Sequence, residues 1–220
     1  MNIAIFVSGR GSNLEAILKA KKQGFLDSNF YVISNNQNAK ALDIAKHYDT
    51  ASFYFEPKPK SLFEENALRL LKEKNIDFIV LAGFMAILSK DFIKEYPHKI
   101  INIHPSLLPA FKGINVHKRV IESGAKFSGA TVHFVTEEID AGCIIAQAIT
   151  PIDQEDTEIT LEQKVLNLEH KLLPQVIKWI EQGRVFIKDK KAYVKDAKYG
   201  SYPFNPELEW VNNSLQTAYW

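Results

Sequence analysis

Ile3-Ala4-Ile5-Phe6-Val7-Ser8-Gly9-Arg10-Gly11-Ser12-Asn13-Leu14 is the stretch whose reading decides the fold. Five consecutive apolar residues read as a strand, two glycines turn the chain, and a helical pattern follows over Asn13 to Lys22. The same alternation repeats outward from there. Phe30 to Ile33, Ala51 to Phe55, Phe78 to Leu81 and Ile100 to Ile103 read as further strands, with helices over Ala39 to His47, Leu62 to Glu73 and Lys90 to Glu95 between them. Strands alternating with helices build βαβ units. The expected fold is therefore α/β, a single-domain, mostly parallel twisted sheet with helices on both faces, Rossmann-like in plan. Ligands in such sheets bind beyond the C-terminal ends of the strands. The glycine turn after the first strand and the segment after the fifth then share one edge.

Past a helix near His117 to Ser123 the pattern changes. Gly129 to Thr136 alternates and Cys143 to Thr150 is apolar, with Asp140-Ala141-Gly142 between them, so both read as strands extending the sheet around an acidic loop. A long helix is expected from Thr160, with Thr160 and Gln163 as a capping box and an apolar stripe of Leu161, Val165, Leu168, Leu172, Val176 and Ile180. Pro174 should kink it and Gly183 should end it. Val185 to Ile187 and Ala192 to Val194 suggest a hairpin, and from Asp196 the chain reads as an extended tail. The division is thus 1–183 for the main domain and 184–220 for the C-terminal hairpin and tail.

Composition narrows the function. The 220 residues are 46% hydrophobic, which excludes a disordered chain, and 27 basic against 26 acidic side chains give a formal charge of +1 with no block of like charge. A nucleic-acid surface would show as a basic excess, so any anion bound is expected to be small and locally recognised. The chain shows no charged-then-apolar leader and no apolar run long enough to span a bilayer, and its single cysteine, Cys143, has no disulfide partner. A cytoplasmic protein is expected. Cys143 reads as a small buried side chain, and no metal is expected, because His, Cys, Asp and Glu are not clustered at ligand spacing.

Two segments carry chemistry. In Asn102-Ile103-His104-Pro105-Ser106-Leu107-Leu108-Pro109, an amide and an imidazole stand two apart at the end of an apolar strand, and so project from one face. The amide can donate to a developing oxyanion and the imidazole can carry a proton near neutral pH, a pairing that suits acyl transfer. Ser106 lacks the setting of an activated nucleophile. A polar strand end is the plainer reading of an isolated N-x-H. In Gly9-Arg10-Gly11-Ser12-Asn13, glycines and a helix N-terminus can cradle a phosphate, with neither the lysine of a triphosphate loop nor the third glycine of a dinucleotide fingerprint. A monophosphate fits this loop, and a strand–helix turn with Ser12 as cap fits it locally as well.

Together, N-I-H-P-S-L-L-P, S-G-R-G-S-N-L at 8–14 and Asp140-Ala141-Gly142 resemble the folate-dependent phosphoribosylglycinamide formyltransferases, over Met1 to about Gly183. The resemblance implies formyl transfer from 10-formyltetrahydrofolate, a co-substrate, to the amine of 5′-phosphoribosylglycinamide (GAR) in purine biosynthesis. It implies His104, Asn102 and Asp140 as catalytic residues, with Asp140 orienting His104 and raising its pKa. Gly11, Ser12 and Asn13 would hold the GAR phosphate and Glu169 its ribose. Lys60, Met85, Ala86, Ile87, Leu88, Asn102, Thr136, Glu137, Glu138, Ile139 and Asp140 would line the folate cleft. The family often has arginine where Ala86 and Lys60 stand, so one charged donor is lost and another loses its bidentate fork. His133 and His170 read as structural. SLLP also occurs in methionyl-tRNA formyltransferases and formyltetrahydrofolate hydrolases, which usually carry an added RNA-binding or regulatory domain; a catalytically silent binding module is the remaining alternative. The partners implied are small molecules, with neither nucleic acid nor membrane.

Overall fold

The computed structural model describes residues 1–209. Eight strands form the main sheet: β1 (Asn2–Val7), β2 (Asn29–Ser34), β3 (Ser52–Tyr54), β4 (Phe78–Leu81), β5 (Ile100–His104), β6 (Phe127–Phe134), β7 (Ile144–Pro151) and, after a separate hairpin of β8 (Val185–Lys188) and β9 (Lys191–Val194), β10 (Phe204–Asn205). Their order is β10-β7-β6-β5-β4-β1-β2-β3. The half from β3 to β5 is parallel and the half from β5 to β10 antiparallel.

Strand alternation sets which face each residue serves. On β1, Ile3, Ile5 and Val7 join the core under α1 (Ser12–Lys22), α2 (Lys40–His47), α5 (Val116–Glu122) and the long α6 (Glu158–Glu181). Ala4 and Phe6 face the other way, into the core under α3 (Lys60–Glu73) and α4 (Lys90–Glu95). Both faces of the parallel half are therefore covered, which explains why its strands read as unbroken apolar runs. On β5 the parity is the one that matters. Ile101 and Ile103 enter the α6 core, and Asn102 and His104 share the opposite parity with Ile100.

Several details differ from the sequence expectation. The capping box of α6 lies one turn earlier, with Thr157 as cap and Thr160 as its reciprocal partner, because the Thr160 hydroxyl already serves the Thr157 N–H at 2.8 Å. Pro174, the expected kink site, lies inside the helix, which continues to Glu181. Gly183, at φ 65, closes it as expected, with Gly183 N donating to Ile180 O at 2.9 Å and Arg184 N to Trp179 O at 2.9 Å. Asp189 and Lys190, both at positive φ, turn the β8–β9 hairpin. Part of the expected tail is the edge strand β10, paired with β7, and Val194 and Phe204 are buried in the main core; residues 210–220 of that tail lie outside the described residues. Cys143 is half-buried rather than buried, its thiol donating to Lys190 O at 3.1 Å.

Candidate active site

The C-terminal ends of β1, β4 and β5 deliver their loops to one edge. His104, the last residue of β5, is 4% exposed. Its Nε2 lies 3.0 Å from the Phe111 carbonyl and its Nδ1 3.4 Å from Asp140 Oδ2. Asp140 sits in the β6–β7 loop at φ 50, a conformation that Asp tolerates, and its Oδ2 also accepts the Gly113 N–H at 2.8 Å. Gly142 follows because a Cβ there would lie 1.8 Å from Phe134 O. The backbone can pass that close only without a side chain.

A fourth residue joins the three that the motif supplies. His133, on β6, stands opposite Asn102 of β5 in the antiparallel register. Its Nε2 is 3.3 Å from Asn102 Nδ2 and 3.6 Å from Asp140 Oδ1, and its Nδ1 is 2.8 Å from the Phe134 carbonyl. From the sequence alone, His133 reads as structural. The signal for it was pairing register, which an alternating strand does not disclose by itself.

The electrostatics correct one expectation. Burial is the largest influence on His104 and outweighs the raising effects of the Phe111 carbonyl and Asp140, so its pKa falls below the ordinary histidine value instead of rising. Burial also opposes the Asp140 charge, but His133, the Gly113 N–H and His104 outweigh it and hold that carboxyl below its usual value. At neutral pH the pair is a carboxylate beside a neutral imidazole.

At the β1 edge, Gly11 at φ 78 is the N-cap of α1, with no side chain capping it. The first helical bond is Glu15 N to Gly11 O at 2.9 Å, so the N–H groups of Ser12, Asn13 and Leu14 lie ahead of it. A Cβ on Gly11 would meet Ala41 of α2 at 2.7 Å, so packing and backbone conformation already demand glycine there. Asn13 Nδ2 donates to Glu169 Oε2 at 2.7 Å, and its Oδ1 is buried without a partner. Glu169, on α6 and 4% exposed, has its pKa pushed up to about 7, chiefly by burial, against the pull of the Asn13 amide. Arg10 of the same loop pairs with Glu162 of α6.

The residues expected around folate surround the third loop. A narrow pocket of about 30 Å³ is lined by Asn35, Lys60, Glu64, Phe84, Ala86 and Ile87 with Leu88. Met85 and Ile87 are exposed at 79% and 62%, and Lys60 lies 3.8 Å from Glu64. Thr136, Glu137, Glu138 and Ile139 form the exposed approach to Asp140, and Lys90 joins Glu137 at 2.8 Å across the cleft. Ser8 ties the loops together, accepting the Met85 N–H at 2.8 Å and donating to Asn35 at 2.7 Å. Ser106 is fully buried and its hydroxyl donates to Ala110 O at 2.6 Å. No group of three or more potential metal ligands occurs among the described residues.

An amide and an imidazole at one strand end, a carboxylate brought to them by a loop and, on the same sheet, a helix N-terminus with no side-chain cap make up the candidate site of an α/β protein, with side-chain types that can transfer protons and stabilise an oxyanion. The comparisons narrow that class. The chain belongs to the formyl transferase family, whose model matches residues 1–177. It is 42% identical over 158 residues to the phosphoribosylglycinamide formyltransferase of Bacillus subtilis, covering 70% of this chain and 81% of that one. It is also 42% identical over 161 residues to the trifunctional purine biosynthetic protein adenosine-3 of Gallus gallus, covering 71% of this chain. This chain spans only 16% of that larger relative. The crystal structure of phosphoribosylglycinamide formyltransferase from Anaplasma phagocytophilum superposes with a TM-score of 0.82 at 41% identity, covering 89% of this chain and 94% of the other.

Proposed function

We propose that this chain transfers the formyl group of 10-formyltetrahydrofolate to the amine of GAR, giving formyl-GAR and tetrahydrofolate in purine biosynthesis. The observation that carries the reading is the convergence of Asn102, His104 and Asp140 on the same sheet whose first strand leads into the α1 N-terminus, in a family whose relatives include phosphoribosylglycinamide formyltransferases. The GAR phosphate sits on the Ser12 and Asn13 end of α1, with Gly11 shaping the turn and Glu169 accepting from the ribose. Folate enters between the 85–88 loop, Lys60 and the 136–140 loop, and its formyl group reaches Asn102.

The amine of GAR attacks the formyl carbon. Asn102 donates to the oxygen as it gains negative charge. His104 begins neutral, which suits it to take the proton that the amine loses; Asp140 then stabilises the imidazolium, and the proton passes to the departing folate nitrogen. The single proton moved and the formyl group are both accounted for without a covalent enzyme intermediate. Small molecules are the only partners this chemistry needs, and the compartment that fits it is the cytoplasm.

One assay separates the readings. Supplied with formyl folate and, in turn, GAR, water and charged initiator tRNA, the protein should turn over only with GAR, without added metal. Undiminished folate turnover in the absence of GAR would identify a hydrolase, and activity on tRNA the methionyl-tRNA enzyme. No turnover with any acceptor would leave a binding module.

A further inference from the structure

His133 has no role in the steps above, yet its ring touches one catalytic side chain and faces another. It is 2% exposed and lies where the β6–β7 pairing shifts register between Val132 and His133. Such irregularities re-aim side chains. Nδ1 is 2.8 Å from the Phe134 carbonyl, which can only accept, so Nδ1 carries a hydrogen. In a ring with one hydrogen Nε2 is then an acceptor, and the group nearest it is Asn102 Nδ2 at 3.3 Å. Asp140 Oδ1, at 3.6 Å, is farther and has no hydrogen to give.

We propose that His133 is a positioning residue that fixes the orientation of the Asn102 side-chain amide. Accepting one N–H of Nδ2 leaves the other N–H as the donor to the reacting oxygen. The reversed amide would set Oδ1 against the Nε2 lone pair, two buried acceptors in contact, which is a costly arrangement. His133 thus selects between two amide orientations of equal shape and opposite chemistry. The inference rests on the assignment of Asn102 as the oxyanion donor made above.

The test has a spectroscopic arm and a kinetic arm. In the ¹⁵N-labelled full chain without substrates, His133 Nε2 should resonate as an unprotonated, pyridine-like nitrogen coupled through the hydrogen bond to Asn102 Nδ2. In steady state, His133→Phe, which fills the space without an acceptor, should lower kcat about tenfold or more and leave both KM values within about twofold. His133→Gln, whose amide oxygen can accept from Asn102, should recover most of that loss. A protonated Nε2, a Gln variant no better than the Phe variant, or a loss shared between kcat and KM would overturn the proposal. If His133→Phe does not fold, the wild-type spectrum and His133→Gln decide. Absence of formyl transfer by the wild type would count against the proposed function instead, and the nitrogen spectrum would still report the amide's orientation.

Discussion

Two carboxyls, the half-buried Asp140 and the buried Glu169, show how position sets charge. Asp140 keeps its proton off because the two neighbouring histidines and the Gly113 N–H outweigh the burial that would raise its pKa, and its neighbour His104 is neutral because burial dominates there. Asp140→Asn keeps the αL backbone and removes the charge. It should therefore lower the His104 pKa further and reduce kcat about a hundredfold, read from pH–rate profiles beside NMR titration of His104; an unmoved titration would break the pairing. Glu169 is the opposite case. Its pKa of about 7 lies above the ordinary carboxyl value, so folding carries no ionisation cost below pH 4.5 or so, accumulates one as pH rises, and bears it in full above about 7. Glu169→Gln should gain stability relative to wild type at pH 8 compared with pH 5, by a few kcal/mol at most, while raising KM for GAR. Thermal melts at the two pH values check the first part, and an equal difference at both would show that Glu169 ionises normally. Asn102 and His104 are legible in the sequence as residue types two apart, and Asp140 only through the family resemblance. The sign of the His104 shift is not, because burial depth is a property of the packed fold.

At the scale of elements, the parallel half was legible because each strand is covered on both faces and so reads as an apolar block between punctuating turns. β4 and α4 match their expected bounds, Phe78 to Leu81 and Lys90 to Glu95. What escaped depends on pairing at a distance. β10 is two residues long amid prolines, and only its partner β7 makes it a strand. The start of α6 escaped for a local reason: Thr157 and Thr160 both fit the pattern of a cap, and the choice between them falls to reciprocal bonds. Thr157→Ala should cost about 1 kcal/mol and leave the kinetics unchanged, measured as a shift in denaturant midpoint. No shift would place the functional cap elsewhere.

Across the whole molecule, one sheet edge gathers loops from β1, β4, β5 and the β6–β7 turn. The glycine loop belongs to the β1–α1–β2 unit, whereas the 85–88 loop and the His104 strand both belong to β4–α4–β5. Ser8 and the Lys90–Glu137 pair span the gaps between the first and second of these and across the cleft. Two substrates can thus be brought to one point by a rigid sheet, each on its own loop. The β6–β7 loop leaves β6 level with Ile100 and Ile101 and folds back to bring Asp140 to His104. Sequence order hides this, since Asp140 lies 36 residues after His104 in the numbering. No helix among the described residues is long and apolar enough to cross a membrane.

The Phe111 carbonyl on His104 Nε2 has a consequence for chemical reactivity. With that nitrogen's hydrogen engaged and the other nitrogen buried against a carboxylate, the ring offers no open lone pair to an electrophile. Treated with diethyl pyrocarbonate, the free protein should be acylated quickly at the exposed His47 and His98 and slowly at His104, as mapped by mass spectrometry. Rapid labelling of His104 would mean that the carbonyl opens readily. Slow labelling would make His104 an imidazole closed to a reagent and, by the same contact, one that a substrate must uncover before it can react.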